Sequence, residues 1–191
     1  WKGQNHCFES IAAFSAQRNA TLQDDRGSLS LNGVVVGPDI FNVLRLKPIL
    51  GRTFLPTETW PGMTEVVILG HEFWMSRFNG DAGVIGQPIT INKRVYTVVG
   101  VMPPGIRFLH LGVDWAGQDT NAVIDFWRPI TNDISSERRS SYNWQTIARL
   151  KTGASLRQAQ ADMDVIQARI LEQYGDSARE IKIVRIENVF G

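Results

Sequence analysis

Metal ligation or nucleophilic catalysis in this sequence would have to draw on His6, His71, His110 and Cys7, the only histidines and cysteine present. A tetrahedral metal site needs about four convergent ligands. The three histidines fall in separate segments without ligand spacing, and the adjacent His6 and Cys7 point apart on a strand or a helix alike. They read as polar surface or loop residues, so no metal is expected. A cysteine nucleophile requires a base that reaches it in space. His71 and His110 stay open as that base, but no local signature surrounds Cys7, and a packed thiol is the better reading. Asp162 and Asp164 stand two apart in a helical pattern and so point about 200° from each other, too far apart to share a substrate. Asp24 and Asp25 belong to a turn beside Arg26, where solvated or capping roles suffice. Neither a Gly-x-Ser-x-Gly elbow nor a phosphate-cradling glycine loop occurs. The sequence therefore offers no catalytic residue and no cofactor site, and ATP hydrolysis is not located in it.

Aromatic side chains are the remaining candidates for recognition. Trp74 and Phe78 fall where a core wants them. Trp60, in Thr59-Trp60-Pro61-Gly62, and Trp115, in a glycine-rich irregular stretch, are less easily absorbed and are candidate partner contacts. A half-buried loop anchor is the commoner fate of a tryptophan.

The chain has 191 residues, enough for one mid-sized domain or two small lobes sharing a core. At 43% hydrophobic and 20% charged it has the composition of a globular chain. Its net charge of +1 comes without any long basic block, Arg138-Arg139 being too short, so nucleic acid is not an expected partner. With one cysteine, no intrachain disulfide can form, and cysteine usage leaves the compartment open. No stretch approaches the roughly 18 apolar residues that span a bilayer. The chain opens at Trp1 without a methionine and ends at Gly191 directly after Val189-Phe190, so a piece of a longer protein is expected.

The elements follow from periodicity and punctuation. Phe8, Ile11 and Phe14, three apart, predict a short amphipathic helix over 8–17. Asp24 to Gly27 supplies a turn, and Ser28 to Val36 a strand that Gly37-Pro38-Asp39 breaks. Asp39 is placed to cap a short helix through Leu44. Glu65 to Leu69 reads as a buried strand and His71 to Phe78 as a helix. Gln87 to Asn92 and Arg94 to Val101 read as a hairpin turning at Asn92-Lys93, stopped by Pro103-Pro104. The stretch from Leu109 to Thr120 reads as an exposed loop. Phe126 to Ile130 reads as a strand that Pro129 marks as an edge, and Trp144 to Leu150 as another strand. Ser155 with Gln158 forms a capping box. Behind it Leu156, Ala159, Met163, Ile166, Ile170 and Tyr174 predict a helix of about five turns, ended by Gly175. Ile181 to Ile186 alternates as a last strand, so the C-terminal part suggests a split βαβ unit.

The run Phe41-Asn42-Val43-Leu44 followed by Pro48-Ile49-Leu50-Gly51-Arg52-Thr53-Phe54 resembles the MacB-like periplasmic core domain of ABC-type permeases. Val66 to Leu69, Phe73-Trp74-x-x-Arg77-Phe78 and Ile89 to Asn92 continue the likeness in order. Tyr96 to Gly105 is its most specific part, and Ala148 to Gly153 with Leu156, Gln158 and Ala159 extends it. Lys93 stands where a hairpin glycine is common, and Gly70 where a serine usually caps the helix.

The resemblance implies a mixed α/β fold of the α+β class in two lobes. A porter-like split βαβ lobe would come from both chain ends, 1–36 and 131–191, with a smaller α/β lobe, 37–130, inserted. Gly37, Pro38 and Pro129 would then be candidate hinges. It implies a place between two missing transmembrane helices, on the periplasmic side of the inner membrane. The partners implied are a cytoplasmic ATPase subunit or domain, a second permease copy or periplasmic adaptor, and a transported or signalling partner. Catalysis and cofactors are not implied. Efflux, lipoprotein release and signalling are all served by relatives, so cargo is not fixed. Two rival readings stay open: a free-standing ligand-binding α/β module, which predicts a cleft with convergent polar groups, and a hydrolase using Cys7 or a His–carboxylate pair, which predicts a strongly perturbed group in a pocket.

Overall fold

The structure, a computed structural model, describes residues 6–59, 65–107, 121–130 and 144–174. In chain order the elements are β1 (Phe8–Asp24), β2 (Gly27–Val36), α1 (Ile40–Leu44), β3 (Leu50–Gly51), β4 (Val66–Leu69), α2 (His71–Phe78), β5 (Pro88–Ile91), β6 (Arg94–Val101), β7 (Phe126–Pro129), β8 (Gln145–Leu150) and α3 (Leu156–Tyr174). Strands and helices mix as expected of the α+β class.

Six strands close into a ring. β1 pairs antiparallel with β2, β2 parallel with β7, and β7 antiparallel with β4. β4 then pairs parallel with β6, β6 antiparallel with β5, and β5 returns to β1 through Leu22 opposite Ile91. β1 and β2 come from the expected 1–36 unit and β4 to β7 from the expected 37–130 unit, so the ring draws on both. Outside it, β8 pairs with the first part of β1, and β3 adds to the end of β6.

Both faces of the ring are buried, which explains why β4 reads as an unbroken apolar run. One face gathers Leu22, Leu31, Val67, Leu69, Ile91 and Phe126 into a core that Phe73 and Trp74 of α2 join. The opposite face carries Phe14, Val34, Val36, Ile68 and Trp127, covered by Phe41 of α1. Burial of each such side chain contributes about 1.5–3 kcal/mol.

The helix expected over 8–17 is a correction: these residues form the first half of β1. A register shift lies between Phe8 and Ser10, but Ile11 to Phe14 pair regularly with β8, so Ile11 and Phe14, three apart, face opposite sides of the strand and share no helical face. Pairing with two other strands then overrides the helical preference of Ala12, Ala13 and Ala16. A second shift lies between Gln17 and Ala20, where Asn19 takes φ 55°. It turns Ala20 and Leu22 into the α2-side core, whereas Ala12 and Phe14 serve the other.

Pro129 is the second correction: β7 lies between β2 and β4 and is no edge. The Ile130 N–H donates to Val36 O at 2.9 Å, so the Pro129 nitrogen, one residue earlier, faces the opposite side. There the β4 ladder has ended at Ile68–Trp127, and no donor is lost. Asp39 stands at the start of α1, but its φ −89° and ψ 2° leave it without a side-chain cap bond. Asn92 and Lys93, at φ 50° and 64°, make the tight turn of the β5–β6 hairpin. The Ser155–Gln158 capping box is formed, with the Ser155 N–H donating to Gln158 Oε1 at 2.8 Å and the Gln158 N–H to Ser155 Oγ at 3.2 Å. Ala159, Met163 and Ile166 are its buried face. The strand expected at 181–186 and the loop at 109–120 lie outside the described residues.

Two close approaches explain the glycines of the Leu-Gly-Arg and Val-Val-Gly-Val runs. A Cβ on Gly51, which has φ +70°, would lie 2.2 Å from Val99 O. One on Gly100 would lie 2.5 Å from Arg52 O. Gly70 is likewise constrained, since a Cβ would lie 2.0 Å from Ile124 O, and that contact explains the missing serine cap. Beyond Gly51, Arg52 holds Glu58 through two hydrogen bonds of 3.0 and 2.7 Å, and the Leu55 N–H donates to the same carboxylate at 2.8 Å. Burial pushes the Glu58 carboxyl up, but the Arg52 guanidinium and the Leu55 amide outweigh it and hold it below its ordinary value.

Gly51→Ala is expected to lose about 2–3 kcal/mol of stability in urea unfolding, and Gly86→Ala, equally left-handed at φ +85° but with open space around it, about 1 kcal/mol. Equal losses would remove the close approach as the cause. Glu58→Gln is expected to lose about 1–2 kcal/mol at pH 7. Because the folded carboxyl titrates below its unfolded value, that contribution is full above about pH 4.5 and fades as pH falls through the folded value. The gap between the two proteins, followed by urea unfolding, should therefore close on acidification.

Candidate functional site at the polar end of the barrel

The two ends of the ring differ in chemistry. α2 follows β4 directly and covers one end with Phe73 and Trp74. Arg77 of its last turn forks onto Asp24 at the β1–β2 turn, with Nε at 2.8 Å from Oδ2 and a second bond to Oδ1. Those bonds, foremost, hold the Asp24 carboxyl below its ordinary value.

At the other end, where β4 and β6 begin and β7 finishes, strand alternation sends polar side chains onto the inner face. Glu65 shares the side of Val67, Arg94 and Tyr96 that of Val98, Arg128 that of Phe126, and Gln17 precedes the β1 bulge. Arg94 Nη1 donates to Glu65 Oε1 at 3.0 Å, and Arg128 Nε to Gln17 Oε1 at 2.6 Å. Glu65 Oε2 is buried, and the Tyr96 phenol lies near enough to the same carboxylate to act on it as a hydrogen-bond donor. Tyr96 is only 6% exposed, and burial pushes its phenol up, with Arg128 and Glu65 acting on it from opposite directions. Burial pulls the Arg128 guanidinium below its ordinary value, against the pull of Tyr96 and Glu65. Arg94 thus pairs with the Glu65 carboxylate, whereas the acceptor bonded to Arg128 among the described residues is neutral. The arrangement can hold an anion or a polar chain; it contains no activated nucleophile.

The residues singled out by sequence fall elsewhere. Trp60 and Trp115 lie outside the described residues, as does His110. The chain reaches Trp60 through the turn that Arg52 and Glu58 pin, and continues into Glu65 at the polar end. The flanks of the segment carrying Trp115 are clamped, since Arg107 pairs with Val123 and the Ile124 N–H donates to Ile106 O at 3.2 Å. Gly37 is buried, and its N–H donates to Ala13 O at 2.8 Å; Pro129 is buried opposite Val36, and Pro38 is exposed. His71 stacks edge-on to Trp74. Cys7 meets Asp162 of α3, whose carboxylate also accepts the His6 N–H at 3.0 Å. The hydrogen bond to Asp162, then burial, raises the Cys7 thiol, which favours the unreactive protonated form. Asp164 instead accepts from Gln160 at 2.7 Å. Among the described residues no three His, Cys, Asp or Glu side chains group as a metal site.

Sequence reading missed Gln17, Glu65, Arg94, Tyr96 and Arg128. The available signal was Arg128 interrupting the inner-face alternation of an apolar strand behind Phe126. Without the ring, nothing joins it to Glu65 or Gln17, respectively 63 and 111 positions earlier in the chain.

Three solved structures share this fold. The periplasmic region of MacB from Actinobacillus actinomycetemcomitans matches with a TM-score of 0.63 and 15% identity, over 93% of this chain and 72% of its own. The extracellular domain of the ABC-type transporter YknZ from Gram-positive bacteria matches with a TM-score of 0.61 and 12% identity, over 94% and 81%. A permease-protein domain from Porphyromonas gingivalis matches with a TM-score of 0.58 and 13% identity, over 92% and 68%. No curated protein matches by sequence. No helix among the described residues is long and apolar enough to cross a membrane. The family model for the MacB-like periplasmic core domain matches residues 2–166, spanning the closed ring, β8 and the start of α3, and the chain belongs to that family.

Proposed function

We propose that this chain is the extracytoplasmic part of a MacB/FtsX-type ABC transporter permease, and that it passes motion driven by a cytoplasmic ATPase to a substrate or partner protein without catalysis of its own. The observation that carries the mechanical reading is β1. This one strand of 17 residues pairs with β2 and β5 inside the ring and with β8 outside it. The Lys151 N–H that follows β8 donates to Cys7 O, and Asp162 of α3 takes the His6 N–H at the head of β1. Force applied to β8 therefore reaches the barrel through backbone hydrogen bonds, and force applied to α3 through the Asp162 carboxylate on the His6 N–H.

In this reading the domain sits on the periplasmic side of the inner membrane, held by flanking transmembrane helices. It acts with the ATPase and with a second permease copy or an adaptor, and efflux is one such use. Trp60 and Trp115 are its proposed partner contacts. The division into a 1–36 with 131–191 lobe and a 37–130 lobe, hinged at Gly37, Pro38 and Pro129, belongs to the same proposal. Hinge motion there requires the Gly37–Ala13 and Ile130–Val36 hydrogen bonds, and the β2–β7 and β1–β5 pairings that join the two units, to yield during the cycle. The polar end of the barrel favours one alternative, a free-standing extracytoplasmic ligand-binding module.

Spin labels on the full-length permease with its ATPase test transmission. With Cys7→Ser as background, labels at exposed Lys93, on the β5–β6 turn, and exposed Arg157, at the start of α3, should change separation between nucleotide-free and ATP-bound forms. A control pair at Lys93 and Met75, both within the 37–130 unit, should not. Identical distances for the first pair in both forms would sink mechanical transmission.

A further inference from the structure

The head of β1 is gripped from two sides. Lys151, directly after β8, donates its N–H to Cys7 O and its Nζ to His6 O, both at 2.9 Å. Asp162 of α3 accepts the His6 N–H at 3.0 Å and meets the Cys7 thiol. The His6 N–H and then the thiol hold its carboxyl below the ordinary value. Helical periodicity puts Asp162 in place: it stands three residues after Ala159 and four before Ile166, at the border of the face those two bury. That face belongs to neither of the two cores of the ring. Between the two grips the chain is short. The Ala154 N–H donates to Lys151 O at 3.0 Å, Gly153 turns at φ 84°, and the Ser155–Gln158 cap starts α3.

We propose that Asp162 is a latch that ties α3 to the head of β1, so that Lys151 and α3 hold and release His6 and Cys7 together. The His6 N–H and C=O go to different partners, Asp162 and Lys151, and fixing one sets the orientation of the other. Without the carboxylate His6 swings freely, and the Lys151 bonds to His6 O and Cys7 O loosen with it. Asp164 takes no part, since its carboxylate accepts from Gln160 on α3 itself. Use of the latch to pass motion between β1 and α3 rests on the transmission reading above; closure of the latch does not.

Amide hydrogen exchange of the 191-residue chain, read residue by residue by nuclear magnetic resonance, tests the latch. In the unaltered chain the His6 amide is expected to exchange at least about tenfold more slowly than an unbonded one. In Asp162→Ala the His6 and Lys151 amides should both exchange at least about tenfold faster than in the unaltered chain. Val98, whose N–H donates to Gln87 O at 3.0 Å within the ring, should keep its rate. Alanine is the better helix former, so faster exchange does not come from a weakened α3. Asp164→Ala should change neither amide. A His6 amide at the unbonded rate in the unaltered chain overturns the proposal, as does an unchanged Lys151 amide in Asp162→Ala. Equal acceleration at Val98 also overturns it, because Asp162 then supports the whole fold. Where the alanine variant does not fold, Asp162→Asn, closest in shape, takes its place. Failure here leaves the transmission reading standing, and unchanged spin-label distances leave the latch standing.

Discussion

The ring closes at one narrow place. Leu22 of β1 faces Ile91 of β5, and just beyond it the Asn92 N–H donates to Thr21 O at 2.8 Å while the Thr21 N–H donates to Asn92 Oδ1 at 2.7 Å. Closure there depends on two backbone departures. The left-handed turn at Asn92 and Lys93 aims the hairpin tip at β1, and the bulge before Ala20 bends β1 to meet it. A closed ring has no free edge, which settles the pairing of six strands drawn from distant parts of the chain. Removing the closure would expose both the Leu22–Ile91 core and the unpaired edges of β1 and β5.

Closure also decides where polar groups go. A six-stranded ring with an inner face has two ends to cover, and the chain covers them differently. α2 seals one with aromatic side chains and the Arg77–Asp24 pair. The other receives Glu65, Arg94, Tyr96 and Arg128 because alternation along β4, β6 and β7 admits no other placement once their apolar neighbours face inward. Arg94 is 64% exposed, so its pair with Glu65 adds little stability, while Arg128 is the half-buried charge of the group.

Much of the local structure was legible in the sequence. The β5–β6 hairpin, α2 and the capped start of α3 rest on short-range signals: a two-residue turn, helical spacing and Ser155 with Gln158. β1 was not legible, because its Phe8–Ile11–Phe14 spacing imitates a helix, while the pairing with β8 that places Ile11 and Phe14 on opposite faces is long-range. Pro129 misled for a related reason: its missing donor points at the place where the β4 ladder stops, a fact about register and not about proline. The candidate site was hidden more deeply. Its members are ordinary polar residues in four separate stretches, and the order of strands in the ring is what brings them together. The resemblance carried by Gly51-Arg52 and Tyr96 to Gly105 was legible, and the close approaches at Gly51 and Gly100 now give it a physical cause.

Membership in the MacB-like periplasmic core domain family and the shared fold of three solved domains agree on what kind of unit this is. The central claim is that such a unit works outside the cytoplasm between two membrane segments. The direct measurement is membrane topology of the full-length parent gene product, with reporter fusions placed before Trp1 and after Gly191. The account predicts a membrane helix flanking each junction, with residues 1–191 on the extracytoplasmic side. A parent with no membrane segment on either side, or with this domain in the cytoplasm, would contradict it.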